Sequence, residues 1–128
     1  LRKFIGRLRK NGVVVSIFVD PDPKQIELCG KSGAERIEIH TGFYCDARGG
    51  AMEREFERIK KSAKKAAALG LGVAAGHGLD YRNVERILTI PEIDELNIGH
   101  SIVSRAVFVG IERAVKEMKE ILRRGEGP

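Results

Sequence analysis

The sequence predicts an α/β fold of four consecutive βα units built on one parallel sheet, and three observations point to it. Four short runs rich in β-branched or alternating apolar residues recur along the chain. Each is followed by a stretch with helical spacing, and glycine, proline or aspartate marks the junctions. Alternation of this kind implies right-handed crossovers and helices packed on the sheet. Two architectures satisfy it, an open doubly wound sheet or one half of a (β/α)8 barrel. A whole barrel takes about 250 residues, so the 128 residues taken alone favour the open sheet. They make one domain by the usual rule of roughly 100–200 residues.

The first strand is expected over Val13–Val19, apolar enough to read as buried on both faces. Asp20-Pro21-Asp22-Pro23 forbids its continuation, and an aspartate there can cap a helix from Pro23 to Ser32, stopped by Gly33. The second strand is Arg36–His40, followed by a loop from Thr41-Gly42 to Gly50. A long helix then runs over 51–69, with Phe56, Ile59, Ala63, Ala66 and Ala67 at helical spacing, and ends at Gly70. The third strand, Leu71–Ala75, runs into Gly76-His77-Gly78. A helix over 81–89 stops before Pro91. The fourth strand, Glu95–Ile98, leads through Gly99-His100-Ser101 to a short helix reaching Phe108 and a last helix over 110–123, with a frayed tail over 124–128.

The formal charge of +5 invites a nucleic-acid reading until the charges are located. Arg2, Lys3, Arg7, Arg9 and Lys10 fall in the first ten residues with no acid, so the rest of the chain is neutral. With two tyrosines, no tryptophan and no basic stripe interleaved with aromatics, a stacking groove for nucleic acid is not expected. No apolar run approaches the ~20 residues of a membrane span, and the basic N-terminus lacks the apolar core of a signal peptide. Cys29 and Cys45 form neither a redox pair nor a zinc spacing. A cytoplasmic protein with reduced thiols is the expectation. Leu1 in place of an initiating Met reads as a piece of something longer.

All three histidines, His40, His77 and His100, fall at the C-terminal ends of strands, the rim where parallel α/β folds build their sites. Period-2 geometry puts Glu38 and His40 on one face of the second strand and Ile37 and Ile39 on the other. The isoleucines take the helix side. Glu38 then lies on the opposite face, where a carboxylate is paired with an Arg or Lys of a neighbouring strand or else does chemistry. Gly76-His77-Gly78 and Gly99-His100-Ser101 are turns whose glycines let backbone amides approach an anion, and a phosphate suits them. The short helix after Ser101 matches the extra helix found at barrel phosphate sites after the last two strands.

These residues resemble pyridoxine 5′-phosphate synthase, a barrel enzyme family. Val15-Ser16-Ile17-Phe18-Val19-Asp20, Arg36-Ile37-Glu38-Ile39-His40-Thr41-Gly42, Ala75-Gly76-His77-Gly78-Leu79 and Glu95-Leu96-Asn97-Ile98-Gly99-His100-Ser101-Ile102 are similar to its fifth to eighth strands in order. The basic opening helix, Leu1 to Lys10, corresponds to the helix before strand five. The resemblance implies the C-terminal half of the barrel. It also implies a reaction in which 3-amino-2-oxopropyl phosphate condenses with 1-deoxy-D-xylulose 5-phosphate to give pyridoxine 5′-phosphate, phosphate and water, with no metal or organic cofactor. Carried over position by position, His77 is the proton donor, Glu38 stabilises charge in the transition state, and Gly78, Gly99 and His100 hold the amino-ketone phosphate. The chain departs from the family at Ala74, usually Asn, and at Cys45, usually a small residue such as Ala. The family's proton-accepting His and Glu lie in the N-terminal half, which has no counterpart in this sequence. The expected partners are therefore phosphorylated small molecules, together with an N-terminal half-barrel or a second copy in a homo-oligomer. Two other readings compete: a phosphate-binding half-barrel without turnover, and a metal-dependent hydrolase using Glu38, His40, His77 and His100.

Overall fold

The structure, a computed structural model, describes residues 1–125. Four strands, β1 (Ser16–Val19), β2 (Arg36–His40), β3 (Gly72–Gly76) and β4 (Glu95–Asn97), form one sheet in the order β1-β2-β3-β4, every pair parallel. Consecutive order is the wall of a barrel; a doubly wound sheet would reverse direction partway. The length argument for an open sheet is thereby corrected. Helices α1 (Arg2–Lys10), α2 (Pro23–Ser32), α3 (Gly42–Asp46), α4 (Gly49–Ala68), α5 (Val84–Ile87), α6 (His100–Val109) and α7 (Ile111–Gly125) complete the fold. Of the tail expected to fray over 124–128, residues 124 and 125 instead continue α7, and the rest, from residue 126 onward, lies outside the described residues. Among the described residues no helix is long and apolar enough to cross a membrane.

The local chemistry explains the boundaries. Asp22 caps α2 by accepting the Lys24 N–H at 2.8 Å, Pro23 occupies the first turn, and Gly33 closes the helix at φ +91°. The core lies between the outer face of the sheet and α2 and α4. There Ile37 and Ile39 meet Ile26, Ile59, Ala63 and Ala66, none more than 1% exposed. Each such isoleucine stabilises the fold by about 1.5–3 kcal/mol through burial.

Three expectations need correction. β1 begins at Ser16 rather than Val13 and is not buried on both faces: its exposure alternates, and Phe18 is 55% exposed. The reason is that, among the described residues, helices lie on only one face of this sheet, so the inward-pointing Ser16 and Phe18 are left exposed. The segment from Thr41 to Gly50 is not simply loop, because α3 occupies half of it. The helix expected over 81–89 shrinks to Val84–Ile87, since Asp80 and Asn83 lock the preceding residues into a turn. Asp80 accepts the N–H groups of Arg82 and Asn83, and Asn83 accepts that of Asp80.

On the inner face, at the N-terminal end of the sheet, Arg36 pairs with Asp94 and with Glu95 at 3.4 Å. Its guanidinium lies over Gly72, where a Cβ would come within 2.6 Å of it.

Candidate active site

β2 carries Glu38 and His40 up the inner face to the rim, as its alternation of isoleucine and polar residues dictates. β3 ends beside them in Gly76, His77 and Gly78. β4 ends in Asn97 and passes through Gly99 into α6, which begins at His100 rather than after Ser101. The five residues singled out from the sequence, Glu38, His77, Gly78, Gly99 and His100, line one cavity of about 230 Å³ together with Phe18 and Asn97. A larger hollow, the 380 Å³ space between α5, β4 and α7, is away from the histidine rim.

The Glu38 carboxylate has no cationic partner among the described residues, because Arg36 is committed to Asp94 and Glu95. It accepts instead one hydrogen bond from the Asn97 amide, at 2.7 Å. The pairing with a neighbouring Arg or Lys held open from the sequence is therefore replaced by a neutral amide, which leaves the charge of the carboxylate uncompensated. To reach Asn97 the side chain passes over Gly76, where any Cβ would overlap the carboxylate and approach the Asn97 carbonyl to 3.0 Å. This is a close approach that only glycine permits.

His77 has φ +80°, the one non-glycine residue in the left-handed region among the described residues, and Gly78 follows at φ +81°. For a histidine that conformation costs roughly 1–2 kcal/mol and persists only where the surroundings enforce it. Its ring packs edge-on against His40, centroids 4.8 Å apart, and lies 6.4 Å from Phe18. Gly42 makes room for the pair: a Cβ there would meet His40 Nε2 at 2.6 Å and His77 Cδ2 at 3.0 Å. His40 itself is held by Asp20, with Nδ1 and Oδ1 2.9 Å apart, and does not line the cavity. The four-residue metal set is thus not assembled, and among the described residues no three His, Cys, Asp or Glu side chains gather as metal ligands.

The start of α6 carries no side-chain cap. Its first N–H groups are therefore free to face an anion, and the helix dipole adds about half a positive charge there. Ser101 donates to the Leu79 carbonyl at 2.9 Å, which ties this helix end to the turn holding Gly78.

Four residues of this region went unnoticed in the sequence. Asn97 and Phe18 line the cavity, Asp20 holds His40, and Thr41 bonds to the β3 turn. Phe18 and Asn97 had a signal, since each shares the inward parity of its strand, Phe18 in register with Glu38 and Asn97 in line with His40 through Gly76.

Cys45, packed against Gly78, has its thiol pushed up to about 11 by burial, against 9.0 for a free thiol. It is a neutral packing group, not a thiolate nucleophile. Alkylation of Cys45 by iodoacetamide, followed by peptide mass mapping, should be slow at about pH 8 and rise steeply only toward pH 11; the rate of an ordinary thiol at about pH 8 would contradict this. The unfolded thiol ionises first as pH rises, so Cys45 favours the folded state below about pH 9 and loses that contribution on the way to 11.

Comparison with known proteins identifies relatives. The family model described as pyridoxal phosphate biosynthesis protein PdxJ matches residues 1–124. A pyridoxine 5′-phosphate synthase of Sulfurihydrogenibium sp. (strain YO3AOP1) is 55% identical over 122 residues, covering 95% of this chain and 50% of the relative. The protein of the same name from Geobacter sulfurreducens is 50% identical over 120 residues, covering 93% and 50%. That of Synechococcus sp. (strain JA-2-3B'a(2-13)) is 48% identical over 123 residues, covering 95% and 52%. The chain spans about half the length of the curated relatives it matches. With nearly all of its residues matched, the chain belongs to the pyridoxal phosphate biosynthesis protein PdxJ family.

Proposed function

We propose that this chain forms the C-terminal half of a pyridoxine 5′-phosphate synthase, acting in the cytoplasm and supplying the proton donor and one phosphate site. The observation that carries the reading is the convergence of Glu38, His77, Gly78, Gly99 and His100 on one cavity at the C-terminal rim of the sheet. The substrates are 3-amino-2-oxopropyl phosphate and 1-deoxy-D-xylulose 5-phosphate, and the products are pyridoxine 5′-phosphate, phosphate and water. The phosphate of the amino-ketone sits between the Gly78 amide and the amides of Gly99 and His100 at the uncapped start of α6. His77 then stands beside the substrate as general acid and protonates the oxygen that leaves as water. Glu38, whose charge no cation offsets, stabilises the positive charge that develops on nitrogen as amine and ketone condense. The proton-accepting groups come from an N-terminal half-barrel, which also covers the inner face, and the assembled barrels form a homo-oligomer.

Soaking crystals with phosphate or sulfate tests the anion site. The anion is expected within hydrogen-bond distance of the Gly78, Gly99 and His100 nitrogens. Density for it only elsewhere would overturn this assignment. A half-barrel that binds phosphate without turnover predicts the same density, but no product once the other half is supplied.

A further inference from the structure

Thr41 belongs to none of the roles above, yet it is completely buried beside the cavity. It stands at the N-cap position of α3, where a threonine hydroxyl ordinarily bonds to its own helix. Here it makes no such bond. The hydroxyl reaches across to the end of β3 and lies 2.7 Å from both the Gly76 and His77 carbonyls, while the Thr41 N–H donates to Gly76 O at 2.8 Å. A hydroxyl has one proton to give. Since the backbone N–H already supplies Gly76, the hydroxyl proton goes to His77 O, whose other donor is the weaker Cys45 thiol at 3.6 Å.

That carbonyl belongs to the peptide joining the two left-handed residues, His77 and Gly78. In a planar trans peptide the C=O and the following N–H point in opposite directions. A bond that fixes His77 O inward against buried Thr41 therefore turns the Gly78 N–H outward, toward the cavity Gly78 lines. The same bond holds His77 in a backbone conformation it would otherwise leave, and that conformation sets where its ring stands.

We infer that Thr41 is the positioning residue of this rim: through a single hydroxyl it orients both the His77 imidazole and the Gly78 amide. The inference rests on the reading of His77 as acid and Gly78 as phosphate ligand.

Its test compares Thr41→Val, of similar shape but without the hydroxyl, with Thr41→Ser, which keeps it, in the complete enzyme and in a His77→Asn background. Thr41→Val is expected to lower kcat roughly 10-fold to 100-fold and to weaken inorganic phosphate binding about 10-fold, with Thr41→Ser near the parent on both. In the His77→Asn background Thr41→Val should lower kcat little further while still weakening phosphate. An equal kcat loss in both backgrounds means general damage and overturns the inference, as do parent-like kcat and phosphate affinity in Thr41→Val. A His77→Asn enzyme with unchanged turnover would instead sink the reading of His77 as acid, and with it the imidazole arm. Phosphate affinity measured by calorimetry still decides the Gly78 arm. Should Thr41→Val fail to fold, Thr41→Ala is read in the same way, and a crystal structure with His77 still at positive φ counts against the inference.

Discussion

Replacing His77 by Asn in the complete enzyme is expected to lower kcat by roughly 10²–10⁴, the usual worth of a positioned acid, while the protein still folds and binds its phosphorylated substrate. His77 lines the cavity beside Gly78, Gly99 and His100, and it stands at φ +80°, which a glycine would occupy at no cost. Asn is close in size and polar, so the contacts with His40 and Phe18 change modestly, but it cannot deliver a proton. The loss should therefore fall in kcat, with KM for the amino-ketone phosphate nearly unchanged, because in the proposed function backbone amides hold the phosphate. Steady-state kinetics with the melting temperature as control checks this, and parent-like turnover would remove His77 from the mechanism.

The isolated 128-residue chain is expected to associate rather than persist as a monomer. Among the described residues no helix lies over the inner face of its sheet, and Val13, Val14 and Phe18 in and before β1 are 46%, 64% and 55% exposed. A parallel sheet is ordinarily covered on both faces. β1 and β4 each leave one edge unpaired, and open edges with apolar side chains recruit further strands. α6 adds to this, for it buries no residue, and Val107 and Phe108 are 79% and 84% exposed. Either an N-terminal half or a second copy can cover these surfaces. Light scattering coupled to size exclusion, with the intact mass of the eluted peak, distinguishes the two. A stable 14.1 kDa species that unfolds cooperatively would contradict the expectation.

What was legible in the sequence follows from local chemistry. The alternation Arg36-Ile37-Glu38-Ile39-His40 assigned each side chain to the correct face, because period 2 is a property of the strand itself. Glycine-flanked histidines marked the strand ends, because the tight turns that leave a strand favour glycine. The misreadings arose where the deciding partner is distant or lies beyond this chain. Val13–Val19 is apolar enough for burial on both faces, yet whether its inner face is covered depends on atoms these residues do not supply. α3 escaped notice because Gly42-Phe43-Tyr44-Cys45 has little helix propensity, and the helix is fixed by tertiary packing of buried Tyr44 instead. The Asn97 bond to Glu38 joins residues 59 positions apart, and that of Thr41 to His77 spans 36. No local pattern reports such pairs. Arg36 illustrates the same limit: a cation was available on the strand of Glu38, but the fold directs it to the opposite end of the sheet.

The central claim is that this chain carries one half of a shared site: the acid and the phosphate amides, without the proton-accepting groups. Product formation measured on the pure 128-residue chain, alone and after refolding with the complementary N-terminal half, tests it most directly. No pyridoxine 5′-phosphate is expected from the chain alone, and turnover is expected to appear on complementation and to be lost again with His77→Asn. Turnover by the pure chain, or none after a complementation that restores a folded barrel, would contradict it.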